Sequence, residues 1–243
     1  MILLLGGTTE GRVLADRLAA SGRPVMSSLA GGVSASSLPA GEVRLGGFGG
    51  VAGLVDYLRS ERIEAVVDAT HPFAARITAH AVEACRSCGV PLLRLSRPGW
   101  GSRPDASNWH WVDSLAEART AALGLGDRIF LAIGRQSLAE FAEVADRYVL
   151  ARVIDLPDFS PTAGWTLLRA RGPFDRDAEL ALLREHGIEV LVTKDSGGPA
   201  VAKLDAAAQL GVPVVMVRRP PVPVGVEVVD SVPAALDWLA DVS

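Results

Sequence analysis

Met1-Ile2-Leu3-Leu4-Leu5-Gly6-Gly7-Thr8-Thr9-Glu10-Gly11-Arg12 opens the chain, and its reading decides the fold. A run of apolar residues with no polar alternation suits a parallel strand buried on both faces. Two glycines then turn the chain, and Val13, Leu14 and Leu18 fall on one stripe of a following helix. Strand, glycine turn and helix N-terminus together make an anion site, because the first N–H groups of a helix lack intrahelical partners and lie at its positive dipole end. Taken alone, the stretch reads either as a phosphate-binding turn, with the Thr8 and Thr9 hydroxyls adding to the backbone N–H groups, or as a structural turn. Gly6 and Gly11 are spaced as in a P-loop, but Arg12-Val13 stands where a lysine and a magnesium-binding hydroxyl are required, which argues against an ATPase. The G-x-G-x-x-G pattern is also incomplete, since Thr8 holds the place of its second glycine.

The same grammar continues. Residues 24–29 read as a second strand, and about 20 residues past the glycines an NAD-binding unit carries an Asp or Glu for the ribose diol. Ser27, Ser28, Gly31 and Gly32 occupy that place, with no acid. Nothing there repels a 2′-phosphate, so the pattern favours NADPH over NADH. Residues 42–45 form a strand, and Gly46-Gly47-Phe48-Gly49-Gly50 leads into a helix over 51–60; those glycines serve either a turn or a close approach of backbone to ligand. The strand at 65–67 runs into Asp68-Ala69-Thr70-His71-Pro72-Phe73-Ala74, at the carboxyl end where ligands bind in such sheets. Pro72 suits the first turn of the next helix. Asp68 and His71 read either as an acid/base pair or as a turn cap beside a packed histidine. A strand at 91–95 completes a parallel, doubly wound first half.

Residues 96–108 are rich in breakers and read as a link between domains. Beyond them come strands at 109–112, 128–133, 148–153, 165–169, 190–192 and 214–217, with helices capped by Ser114, running to about 145, over 175–186 and over 203–210. A last strand and helix follow Arg218-Arg219-Pro220-Pro221. The expected organisation is an N-terminal cofactor domain over 1–97 and a second domain over 98–243 that completes the site.

Composition narrows the function. Apolar residues make up 49% and charged residues 21%, an ordinary globular balance, and a net charge of −4 leaves no basic footprint for nucleic acid. The apolar start is too short for a signal peptide, and no run approaches the length of a membrane span, so a soluble cytoplasmic protein is expected. Cys85 and Cys88 are spaced as C-x-x-C but lie late in a helical pattern, where no helix N-terminus lowers a thiol pKa. His71, His80, His110 and His186 show none of the spacings that hold zinc, and no metal site is expected. Lys194 and Lys203 are the only lysines among 24 basic residues, and both flank the turn Thr193-Lys194-Asp195-Ser196-Gly197-Gly198. Arg169 and Arg171 lie at a strand end, where guanidinium groups suit carboxylates or phosphates.

These motifs together resemble the precorrin-6A reductase family of cobalamin biosynthesis. The resemblance rests on Gly6 to Arg12, Gly46 to Gly50, Asp68 to Ala74, Arg97-Pro98 with Trp100, Arg171 to Phe174, and Lys194 to Gly198 through Lys203, in order along nearly the whole chain. The chain departs from the family in lacking an arginine after Ala30-Gly31 and in carrying Asp195 where asparagine is common. The resemblance implies an α/β protein of two Rossmann/flavodoxin-like parallel-sheet domains facing a cleft. It implies an oxidoreductase that uses NADPH to reduce precorrin-6A to precorrin-6B; the cobalt-containing version of the reaction and a non-catalytic dinucleotide-binding module are the alternatives. Gly6, Gly7, Thr8, Glu10, Gly11, Ser28, Gly31, Thr70, His71 and Pro72 are the expected cofactor residues. Arg76, Arg97, Arg135, Arg171, Lys194, Ser196, Gly197, Gly198 and Lys203 are expected to hold the carboxylates of the tetrapyrrole, and His71, Lys194 and Asp195 are the candidates for proton delivery. The implied partners are this small-molecule substrate and, transiently, neighbouring pathway enzymes, with no nucleic acid and no membrane.

Overall fold

The computed structural model describes residues 1–30 and 38–242. The chain divides into two compact units, residues 1–98 with the C-terminal run from Pro220, and Gly99–Arg219. In the first unit strands β1 (Ile2–Leu5), β2 (Val25–Leu29), β3 (Glu42–Leu45), β4 (Ala65–Asp68) and β5 (Leu92–Leu95) alternate with helices α1 (Thr9–Ala20), α2 (Val51–Ser60) and α3 (Ala75–Cys88). β1 and β4 are buried along their whole length, as their unbroken apolar runs require in the middle of a parallel sheet. One face packs Leu4, Val25 and Val67 against Leu14 and Leu18 of α1. The other packs Leu3, Leu5 and Val66 against Leu54 and Leu58 of α2 and Ala81 and Cys85 of α3.

The second unit repeats the scheme with β6 (His110–Val112), α4 (Leu115–Leu125), β7 (Arg128–Ala132), β8 (Tyr148–Val153), β9 (Trp165–Arg169), α5 (Arg176–Glu185), β10 (Val190–Lys194), α6 (Ala202–Leu210) and β11 (Val214–Val217). Ser114 caps α4 as expected, its hydroxyl accepting from the Glu117 N–H at 3.1 Å. Two local expectations differ. Between β7 and β8 the chain forms a 3₁₀ helix, Arg135–Phe141, because threefold spacing puts Leu138 and Phe141 together on a buried face. Pro72 precedes α3, since 71–74 close a turn of their own through the Ala74 N–H and the His71 carbonyl at 2.8 Å.

The last strand, β12 (Glu227–Val229), and helix α7 (Val232–Asp241) correct the expected domain limits. They belong to the first unit: β12 pairs with β5, and Ala235 and Leu239 of α7 join the core beside Leu14 and Leu18. The sheet orders are β12-β5-β4-β1-β2-β3 and β6-β11-β10-β7-β8-β9, with every pair parallel. Each sheet therefore takes its outermost strand from the stretch that follows the other sheet's run. Sequence order reverses between β1 and β4 and again between β7 and β10. These two switch points are the places where ligands bind in folds of this kind.

At the carboxyl edge of the first sheet one row of register partners runs Arg44, Ser28, Leu5, Asp68, Arg94 across β3, β2, β1, β4 and β5. Asp68 and Arg94 meet at 2.5 Å, both almost wholly buried. The carboxylate also accepts from the Thr70 N–H at 3.0 Å, the Thr70 hydroxyl at 2.7 Å and the Thr78 hydroxyl at 2.6 Å. Arg94 donates to the carbonyls of Thr70 and His71 at 3.1 and 3.4 Å. This pair shapes the loop that leaves β4. Asp68→Ala should cost about 3–5 kcal/mol, because it strands the Arg94 charge in the interior. Urea unfolding followed by circular dichroism checks this, and Thr78→Val, which removes a single hydroxyl, should cost only about 1 kcal/mol.

Candidate functional site

The first switch point is built from backbone. The Gly6 N–H donates to the Ser28 carbonyl at 2.9 Å, and a Cβ on Gly6 would lie 2.8 Å from Leu29 Cδ2. Gly7 has φ +135° and open space where a side chain would project, a cradle that only glycine leaves empty. Thr8 is the N-cap of α1. Its oxygen accepts from the Gly11 N–H at 3.1 Å and its hydroxyl donates to the Ala69 carbonyl at 2.8 Å, so this hydroxyl serves the helix and the β4 loop. Gly11 lets α1 approach β4 closely, since its Cβ would lie 3.1 Å from that of Ala69. Glu10 pairs with Arg97 at 2.8 Å, which neutralises the one acid in the first turn of α1. Arg97 is thereby tied to the same turn.

Thr70, His71 and Pro72 lie in the loop beside this turn. Thr70 is buried in the Asp68 network, and the Phe73 N–H donates to His71 Nδ1 at 3.3 Å. Asp68, with its carboxylate fully engaged, is the capping group of the two readings and not half of an acid/base pair. Ser28, the penultimate residue of β2, accepts from Arg44 at 3.0 Å. Gly31 lies outside the described residues. Arg76 is exposed on the first turn of α3.

The second switch point is built from charge. Gly134, at φ +79°, turns the chain from β7 into the 3₁₀ helix that starts at Arg135, which reaches Asp158 at 3.4 Å. Across from it β10 ends at Lys194, whose ammonium donates to the Ser137 hydroxyl at 2.5 Å. Burial pushes the Lys194 pKa below its ordinary value. Ser196 folds back, its N–H donating to the Lys194 carbonyl at 2.6 Å, and Gly197 and Gly198 carry positive φ. Arg135, Lys194, Ser196, Gly197 and Gly198 thus gather at one place.

Asp195 is turned to other work: it accepts from the Trp100 N–H at 2.8 Å and pairs with Arg219 at 3.3 Å. These contacts hold Gly99 to Trp100 against the end of β10, and the Trp100 indole donates to the Gly198 carbonyl at 3.0 Å. Beside them opens a cavity of about 560 Å³ lined by Arg103, Trp111, Asp195, Arg218 and Arg219 among others. Its arginines were not singled out in the sequence. The available signal was Arg218-Arg219 directly after a buried strand, which reads equally well as a stop. Arg171 is exposed in the segment that follows β9. Among the described residues no group of three His, Cys, Asp or Glu could hold a metal ion, and no helix is long and apolar enough to cross a membrane. Cys85 is buried, which pushes its thiol up to about 12 and leaves it inert near neutral pH.

Lys203 does not join Lys194. It is buried on α6, donates to the Ala200 carbonyl at 2.9 Å and lies 4.6 Å over the Trp100 ring. Burial, aided by the Arg152 guanidinium and opposed by Glu179, pushes its pKa down to about 8. An unfolded chain keeps that proton to about pH 10, so unfolding takes up a proton between pH 8 and 10. The Lys203 burden on stability is therefore present below pH 8 and is relieved as pH rises through this window. Comparing urea unfolding of the wild type and Lys203→Met across pH 7–10 should show the variant's advantage shrinking as pH increases.

A profile of the precorrin-6x reductase CbiJ/CobK family matches residues 1–240. The precorrin-6A reductase of Rhodococcus erythropolis is 51% identical over 240 residues, covering 98% of this chain and 96% of that protein. That of Mycobacterium tuberculosis is 50% identical over 241 residues, covering 98% and 97%. A solved structure described as CobK precorrin-6A reductase is 41% identical with a TM-score of 0.89, over 100% of this chain and 96% of the other. Matched end to end in sequence and in fold, with its glycine turns at the switch points of two parallel sheets, the chain belongs to the precorrin-6x reductase family.

Proposed function

We propose that this protein reduces precorrin-6A to precorrin-6B in cobalamin biosynthesis, with NADPH as the hydride donor. The observation that carries the cofactor reading is the open glycine cradle at Gly7 against the N-terminus of α1, together with a β2 end that presents Ser28 and no acid. The residues present fit a dinucleotide. The backbone of Gly7 and Thr8 would hold its pyrophosphate, Gly6 ties the turn to β2, Gly11 allows the helix close enough, and Thr70, His71 and Pro72 line the adjoining loop. NADPH when bound supplies a hydride, the chemistry that any reductase of this family needs from outside its own side chains.

The protein's part is orientation, charge and a proton. At the second switch point Arg135, beside Lys194, offers a guanidinium group to the acetate and propionate side chains of a tetrapyrrole. Gly197 and Gly198 let the turn after β10 pass close to a flat ligand. Lys203 is left out of this set because its ammonium is committed to the core, and Asp195 is assigned to positioning the turn through Trp100 and Arg219. Lys194 is the proposed proton source: it is oriented by Ser137, and its lowered pKa eases release of the proton. His71 stays with the cofactor loop.

Incubating the purified protein with metal-free precorrin-6A and NADPH, while following the macrocycle absorbance, tests the reaction. Reduction with consumption of NADPH is expected, and no oxidation of NADPH with either metal-free or cobalt-containing precorrin-6A overturns it. Turnover of the cobalt substrate alone would favour the anaerobic counterpart. For the proton step, Lys194→Met should lower kcat by roughly 10²- to 10⁴-fold with a smaller change in KM. Because the acid form is the one needed, wild-type kcat should fall as pH rises through the Lys194 pKa, on a limb below the usual lysine range that the variant lacks.

A further inference from the structure

Arg44 is a cation of the first unit to which the family reading gives no task. It is on β3, register partner of Ser28 on β2, in the row that forms the carboxyl edge of the sheet. Its guanidinium donates to the Ser28 hydroxyl at 3.0 Å, to the Gly46 carbonyl at 3.0 Å and to the Gly47 carbonyl at 3.1 Å. It lies 3.9 Å over the Phe48 ring and 5.1 Å from the Tyr57 ring. All of these partners are neutral, and among the described residues Arg44 has no carboxylate in ion-pair contact. A half-buried guanidinium held over an aromatic ring by carbonyls has given up much of its water without gaining a counter-charge.

The surroundings bear on which counter-charge would suit it. Ser28 is the penultimate residue of β2, close to the strand end where this type of sheet reads the ribose of a dinucleotide, and an arginine near that place accommodates a 2′-phosphate. The turn that carries the two accepting carbonyls is glycine-rich for a visible reason. Gly46, Gly49 and Gly50 have φ of +100°, +80° and +95°, and a Cβ on any of them would meet nothing within 4 Å. The floor beside Arg44 is therefore backbone with open space above it. We propose that Arg44, fixed by Ser28 and the Gly46 to Phe48 turn, recognises the 2′-phosphate of the nicotinamide cofactor and sets the preference for NADPH over NADH. This inference rests on the NADPH reading above and deepens it.

Binding separates the inference from the activity. Affinities of the full-length protein for NADPH, NADH, 2′,5′-ADP and 5′-AMP are measured by calorimetry for the wild type, Arg44→Gln and Arg44→Lys, with circular dichroism and thermal melting to compare folding. The wild type should bind NADPH tighter than NADH and 2′,5′-ADP tighter than 5′-AMP, with an advantage that shrinks as salt is raised. Arg44→Gln should reduce both ratios by roughly 10- to 100-fold. Arg44→Lys, which keeps the charge but not the flat fork, should retain part of them. If Arg44→Gln keeps the wild-type ratios, or weakens phosphorylated and unphosphorylated ligands equally, Arg44 only staples the turn and the inference is overturned while the NADPH reading stands. A wild type that binds NADPH and NADH equally overturns the NADPH reading and this inference with it.

Discussion

The buried pair of Asp68 and Arg94 is the constraint on which the first unit's site depends. Two charges placed side by side on neighbouring strands cost desolvation energy that their attraction alone does not offset. The offset comes from the hydrogen bonds around them, and all of these lie on one short segment: Thr70 through its N–H, hydroxyl and carbonyl, the His71 carbonyl, and Thr78 on α3. The loop after β4 is thus held at many points. Its first residue, Ala69, in turn receives the Thr8 hydroxyl and the close approach of Gly11. The shape of the glycine turn at the front of the chain follows from a salt bridge some sixty residues later.

The two switch points solve different chemical problems with the same topology. The first presents N–H groups and an empty glycine position, neutral features that suit a phosphate backbone bound in one orientation. The second presents Lys194, Arg135 and a turn stiffened by Asp195, Arg219 and Trp100. Fixed cations suit a ligand that carries many carboxylates. Both places lie at carboxyl ends of parallel strands, where helix N-termini and loops converge, so one fold used twice supplies both kinds of surface.

Much of this was legible in the chain. Apolar runs closed by glycine, serine or proline marked the strands, and the residues at their ends marked the site, because burial on both faces leaves a strand polar only where it emerges. The helix between β7 and β8 was read too long and too regular, since a buried i, i+3 pair fits the 3₁₀ form as well as the α form. Lys203 looked like the twin of Lys194 by spacing alone. Nine positions apart across a glycine turn, one lysine ends a strand facing the 3₁₀ helix while the other is on α6 beneath Trp100.

By itself the sequence determined the local vocabulary: which runs are strands, where the chain turns, which turns leave room for an anion, and that a carboxylate is missing at the end of β2. These are properties of a few consecutive residues and their solvation. Tertiary structure decided what no local window holds. It returned β12 and α7 to the first sheet, because an edge strand is chosen by the hydrogen bonds and apolar faces left unmatched elsewhere. It also decided which cations are spent on the interior and which are not: Arg94 and Lys203 are committed to the interior, Lys194 is held at a strand end, and Arg44 is fixed beside Ser28. A charge acquires its role from the partners that folding brings to it, and those partners lie tens of residues away.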